Sequence, residues 1–200
     1  MRTLLFVGLV ALSANGLAAQ SSPAGERSLV GGCDLLVRLR LNTPARDLSM
    51  PRVAAEVRAI WAPYLAIQVT ERDAPTPCAD EIRVVIDGVS SGASDALGWI
   101  RFVDGRPSHD VIVSLARARR LVNSGAWMGR AASEWPPETF RHSLSQAVGR
   151  ATAHEVGHFV LRMPGHAPAG LMRASLSADD VIRPRGSRFE LTGVDTRRAR

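Results

Sequence analysis

The chain has 200 residues and a formal charge of +6, and every one of its basic residues is an arginine. About 180 residues remain once an N-terminal export segment is set aside, enough for one domain with a sizeable core but hardly for two. A basic surplus can favour acidic surfaces or polyanions, but the clusters RARR (117–120) and RRAR (197–200) carry no interleaved aromatics. Base stacking is poorly supported, no nucleic-acid partner is expected, and both clusters are assigned to solvated surface.

Residues 1–19 carry one basic residue, Arg2, an apolar run from Leu4 to Leu12, and small residues at Gly16, Ala18 and Ala19. This pattern predicts a signal peptide cut after Ala18 or Ala19, because the apolar run is too short to span a bilayer and no charged stop follows. The mature chain is therefore expected to be secreted, extracellular or periplasmic, with no membrane span. Residues 20–34 form a leader rich in Ser, Gly and Pro, and residues 35–200 one folded domain.

Only two cysteines occur, Cys33 and Cys78. Each stands just before a predicted strand, and two parallel neighbouring strands would bring those starts together, so an oxidising compartment favours a disulfide between them. The alternative, an inhibitory Cys33 thiolate plugging a metal site, needs a longer segment ahead of the first strand than the leader supplies.

LLVRLRL (35–41) alternates apolar and charged residues and is a half-buried strand. Asp47 or Ser49 can cap a helix whose face is Val53, Val57, Ile60 and Trp61, stopped by Pro63. Strands follow from Ile67, Ile82, Gly98 and Asp110. DGRP, with Asp104 and Gly105, joins the last two as a hairpin. The segment 87–98, rich in Gly, Ser and Asp, is a surface loop. A long helix begins at Trp135-Pro136-Pro137-Glu138, with the stripe Phe140, Leu144, Ala147, Ala151, His154 and His158, and stops near Pro164 and Gly165.

That helix carries HEVGHFVLRMPGH (154–166). Histidines at i and i+4 share one face and can both reach a zinc ion about 2 Å away. Glu155, roughly 100° around the helix, can touch a metal-held water without taking a ligand position, which suits a general base and then acid. His166, delivered by the Pro164-Gly165 reversal, is the candidate third ligand. The bland alternative makes His154 and His158 core histidines, yet two imidazoles and a carboxylate are costly to bury without a metal. His142 falls off the stripe and is assigned to the helix surface, and His109 to the hairpin turn.

HEVGHFVLRMPGH followed by AGLMRAS resembles the zinc-binding helix and methionine turn of the metzincin metalloproteases, most closely the matrixin-like secreted group, over about Leu35 to Ser175. The resemblance implies an α+β zincin-type catalytic domain: a twisted, mixed five-stranded sheet with an antiparallel edge strand, a backing helix and an active-site helix. It implies a zinc-dependent endopeptidase acting on peptide or protein substrates, monomeric, with one catalytic zinc. Met172 would floor the histidines without ligating. Gly98, Trp99, Ile100, Arg101 and Phe102 would form the edge strand that pairs with an extended substrate.

The chain departs from the family pattern HExxHxxGxxH: Leu161 stands at the glycine position, Pro164 at the third histidine, and His166 comes two residues late. Gly165 is then the expected turning residue, and Asp179, Asp180 or Glu190 are alternative third ligands. No tyrosine follows Met172; Arg173 stands there instead, to hold structure or touch substrate. Calcium sites are not recognisable among Asp87, Asp95, Asp104 and His109. Leu171, Leu176 and Val181 suggest an apolar wall for the specificity pocket. Two rival readings are a secreted zinc-containing binding protein without catalysis and a basic polyanion-binding domain.

Overall fold

The computed structural model describes residues 32–73, 77–88 and 96–193. The expected signal segment, most of the leader, Asp95 and the RRAR cluster lie outside these residues. The first strand, β1 (Leu35–Leu41), feeds helix α1 (Met50–Trp61) and returns as β2 (Ile67–Thr70). Parallel pairing of β1 with β2 requires such a crossover. Ser49 occupies the position before α1, and its N–H donates to Ser145 Oγ at 2.9 Å, while Pro51 fits the first turn. The face predicted for α1, Val53, Val57, Ile60 and Trp61, is buried throughout.

β3 (Asp80–Asp87), β4 (Gly98–Val103) and β5 (Arg106–Ser114) complete a mixed sheet in the order β2-β1-β3-β5-β4. β1, β2, β3 and β5 run parallel, and β4 pairs antiparallel with β5 at the edge. Asp104 and Gly105 turn the β4–β5 hairpin, both left-handed at φ 49° and 74°, as a two-residue hairpin turn demands. β5 starts four residues earlier than the sequence predicts, so His109 is a strand residue and not a turn residue. Its Nδ1 lies 2.6 Å from the Glu81 carbonyl and its ring meets Phe159 edge-on at 5.0 Å.

Cys33 and Cys78 are bonded, with Cα atoms 4.7 Å apart. The register explains it: Leu35 lies opposite Asp80 on parallel β1 and β3, so the residues leading into both strands converge. Cys33 is thereby unavailable as an inhibitory thiolate.

Helix α2 (Leu115–Asn123) follows β5 directly and was not expected from the sequence. It corrects the assignment of residues 117–120 to solvated surface. Arg117 is buried and donates to the Ala96 carbonyl at 2.8 Å, and Arg119 grips both Asp47 oxygens at 2.6 and 2.8 Å. A short hairpin, β6 (Ala126–Trp127) and β7 (Arg130–Ala131), then leads to the long helix α3 (Pro137–Leu161).

α3 is more than an amphipathic stripe. From Ser143 to Phe159 every residue except Gln146 is buried, because α1, α2 and the short α4 (Ala178–Ile182) all pack on it beside the sheet. Its one fully buried arginine, Arg150, holds the C-terminal segment in place: it pairs with Glu56 at 2.9 Å, donates to the Asp180 and Arg183 carbonyls, and stacks 4.6 Å over the Phe189 ring.

Candidate metal centre and cleft

The last turns of α3 put His154 and His158 side by side, with each ring fixed by a backbone carbonyl. His154 Nδ1 lies 2.8 Å from the Leu171 carbonyl, and His158 Nδ1 lies 2.5 Å from that of Met163. A carbonyl only accepts, so each Nδ1 carries the proton. Burial pushes His154 down to about 4 and lowers His158 as well, which keeps both rings neutral near pH 7. Each Nε2 therefore presents a lone pair, and the two Nε2 atoms face each other at 3.1 Å.

Two facing lone pairs repel unless a cation lies between them. A tetrahedral ion with nitrogen ligands at 2.0–2.1 Å holds two of them about 3.3 Å apart, close to the spacing here. His166 completes the set: ligand atoms of all three histidines lie within 4.8 Å of one another. Its ring stacks at 5.2 Å from His154 and meets His158 edge-on at 5.0 Å. The donor set, three imidazoles of which His154 and His158 are fixed from behind by carbonyls, fits a divalent metal of the zinc type.

The route to His166 differs from the expected one. α3 stops at Leu161 because Arg162 caps it in the left-handed conformation, φ 51°. Gly165 is not among the left-handed glycines of the described residues. The helix cap needs its left-handed residue immediately after the last turn, three positions before Gly165, and Arg162 fills it. Beyond His166 the chain is pinned by Ala167, whose N–H donates to the Met172 carbonyl at 2.7 Å.

Met172 is fully buried, and its sulfur packs directly on Gly157, between the two histidines in sequence. A Cβ on Gly157 would overlap that sulfur, so the glycine inside HEVGH is what admits the methionine. Trp61 supports the same turn, its Nε1 donating to the Ala153 carbonyl at 3.1 Å. Leu171 N–H donates to the Glu190 carbonyl at 2.9 Å, which braces the floor from the C-terminal side.

Glu155 is 4% exposed and lies against β4. A Cβ on Gly98 would sit 2.8 Å from its Cγ and 3.1 Å from its Oε1, so only glycine lets the carboxylate sit this close to the strand. Burial raises Glu155 to about 8. Between α3 and β4 runs a cleft of about 510 Å³, with Gly98, Trp99, Ile100 and Phe102 on one side and His154, Glu155 and His158 on the other. Arg101 is exposed, at a register shift between Ile100 and Phe102.

Arg173, Ala174, Ser175 and Leu176 form the far wall. Of the three apolar residues expected there, only Leu176 reaches the cleft; Leu171 and Val181 are wholly buried, drawn into the core under α3. Arg173 pairs with Asp180 at 2.8 Å. Asp180 also accepts from Ser177 N–H at 2.8 Å, Ser177 Oγ at 2.7 Å and Arg188 at 2.9 Å, which leaves it structural. Asp179 pairs with Arg183, and neither they nor Glu190 join the three histidines. His142 lies on the helix surface, its Nδ1 2.9 Å from Arg52 Nη1. Gly157 and Arg150 were missed as site-shaping residues, and Gly98 was expected only as part of the edge strand. Gly157 alone had a local signal, a glycine within the metal motif of a long helix.

No protein-family model and no curated protein matches the chain. Among solved structures it resembles archaemetzincin from Methanopyrus kandleri, at 14% identity and a TM-score of 0.50, over 84% of this chain and 94% of that one. The chain has a zincin-like fold: a mixed five-stranded sheet with an antiparallel edge strand and a long histidine-bearing helix.

Proposed function

We propose that the protein is a zinc-dependent endopeptidase of the matrixin-like secreted kind. His154, His158 and His166 hold one zinc ion, Glu155 is the general base and then acid, and Met172 floors the site. The observation that carries this reading is the convergence of two unprotonated Nε2 atoms at 3.1 Å with a third histidine and a buried carboxylate in one cleft.

Zinc, when bound, supplies a Lewis acid that polarises a peptide carbonyl and acidifies water. The remaining work falls to the chain. Burial alone holds Glu155 at about 8, and a nearby cation favours its ionised form, so in the loaded site it can accept a proton near neutral pH. Glu155 takes a proton from the attacking water and hands it to the leaving amine. β4 is hydrogen-bonded to β5 on one side; its other edge offers backbone N–H and C=O groups to an extended substrate strand. One chain supplies every group, so a monomer suffices.

Export is part of the proposal. The Cys33–Cys78 disulfide suits an oxidising compartment, and no helix of the described residues is long and apolar enough to cross a membrane.

The test incubates the purified protein with a mixed-sequence peptide library and reads cuts by mass spectrometry, beside Glu155→Gln and a chelator-treated sample. Cuts should appear only in the untreated wild type, with Glu155→Gln still holding one zinc but at least about 10³-fold slower. Full activity in Glu155→Gln would overturn the mechanism. A folded, zinc-loaded protein that makes no cuts would favour a zinc-containing binding protein instead.

A further inference from the structure

The large apolar side chains most exposed to solvent among the described residues include two neighbours, Trp127 at 47% and Met128 at 84%. They occupy the tip of the β6–β7 hairpin, where Trp127 pairs with Arg130 and the turn is Met128-Gly129. Both turn residues are left-handed, at φ 52° and 77°. Such turns favour Asn-Gly or Asp-Gly. A methionine there strains the backbone and packs no core, so the fold itself gives no reason for it.

A depression of about 440 Å³ lies at the foot of this hairpin, lined by Arg46, Arg141, Asn123 and Ser133 beside Trp135. Trp135 Nε1 donates to the Arg130 carbonyl at 3.0 Å and ties the two features together. The carboxylates nearby are already engaged: Asp47 by Arg119 at 2.6 Å, Glu138 by Arg141 at 3.3 Å, and Glu134 by the Ala131 N–H at 3.1 Å. Arg46 is exposed and makes no ion pair among the described residues, and Arg141 Nε is buried with no hydrogen-bond partner.

We propose that the hairpin tip and the arginine-lined depression dock the protein on an anionic lipid surface. Trp127 and Met128 enter the boundary between headgroups and acyl chains, and lipid phosphates meet Arg46, Arg130 and Arg141. A convex tip two residues wide suits a soft surface better than a protein partner, whose energetic anchors fill packed pockets. Tryptophan settles at the membrane interface, and arginine adds attraction to anionic headgroups. Neither signal alone gives stable anchoring, and here both occur together in a chain of formal charge +6. The hairpin leads into the start of α3, whereas His154 lies near its end, about 25 Å along the helix at 1.5 Å per residue.

Flotation with phosphatidylcholine vesicles, with or without phosphatidylglycerol, tests the proposal. The wild type should float with the anionic vesicles and be released by high salt. Met128→Asn, which suits the turn better, should cut the bound fraction by about tenfold or more while leaving the melting temperature and peptide cleavage unchanged. Arg46→Gln combined with Arg141→Gln should weaken binding in the same direction. No flotation of the wild type, equal flotation of Met128→Asn, or equal binding to neutral vesicles overturns it. Self-association abolished by Met128→Asn without vesicle binding would assign the tip to a second copy and equally overturn it.

Discussion

Gly157 and Gly98 shape the candidate site by what they lack. Gly157 leaves room for the Met172 sulfur against α3, and Gly98 lets Glu155 lie against the edge strand. Glycine inside a helix costs about 1 kcal/mol relative to alanine, so Gly157→Ala would stabilise an ordinary helix. Here the added methyl must displace Met172, and overpacking of a filled core costs about 1–3 kcal/mol. Gly157→Ala should therefore lower both thermal stability and zinc affinity, checked by a melting curve and a competition titration with a zinc indicator. A melting temperature raised with unchanged zinc affinity would refute the role given to the Met172 contact.

At the scale of elements, the disulfide joins the starts of β1 and β3 across a separation of 45 residues. Closing a loop of that size removes about 4 kcal/mol of unfolded-state entropy. Replacing Cys33 and Cys78 together with serine should lower the unfolding free energy by an amount of that order, measured by urea denaturation. Both cysteines were legible because each precedes a strand of clear period, and parallel pairing forces such starts together. α3 was legible for the same kind of reason: Phe140, Leu144, Ala147, Ala151, His154 and His158 step by four and three, and prolines mark its start. α2 was not, because LARARRLVN puts three arginines in nine residues, and only the fold reveals that Arg117 and Arg119 turn inward to Ala96 and Asp47. The turn to His166 escaped as well. A glycine at 165 suggested the reversal, whereas the helix cap needed its left-handed residue at Arg162. Arg150 belongs to the same class, since its partners lie on three other segments brought together only by packing.

The whole molecule should respond to acid through Asp47. Its hydrogen bond from Arg119 holds the carboxyl below the usual range. A depressed folded pKa contributes stability that is complete above the unfolded value, about 3.9, and is lost as pH falls through the folded value. The melting-temperature gap between wild type and Asp47→Asn should thus be full at pH 6 and close below about pH 4; a constant gap would show that the charge is irrelevant. Metal should act on the whole fold too. Zinc at a hundredfold excess over its dissociation constant contributes about 2.7 kcal/mol, or roughly 5–10 °C in a chain of this size. Stripping it with a chelator should lower the melting temperature by that much, and re-adding zinc should restore it. The floor of the histidine cluster has one more consequence. His154 is oriented by the Leu171 carbonyl, Leu171 by Glu190, and the segment between them by Arg150. A ribosome delivers HEVGH well before it delivers Glu190, so a growing chain owns His154 and His158 long before it owns the brace that aims His154. The site matures late, and a nascent chain of this protein cannot present a finished cleft until Glu190 has been synthesised.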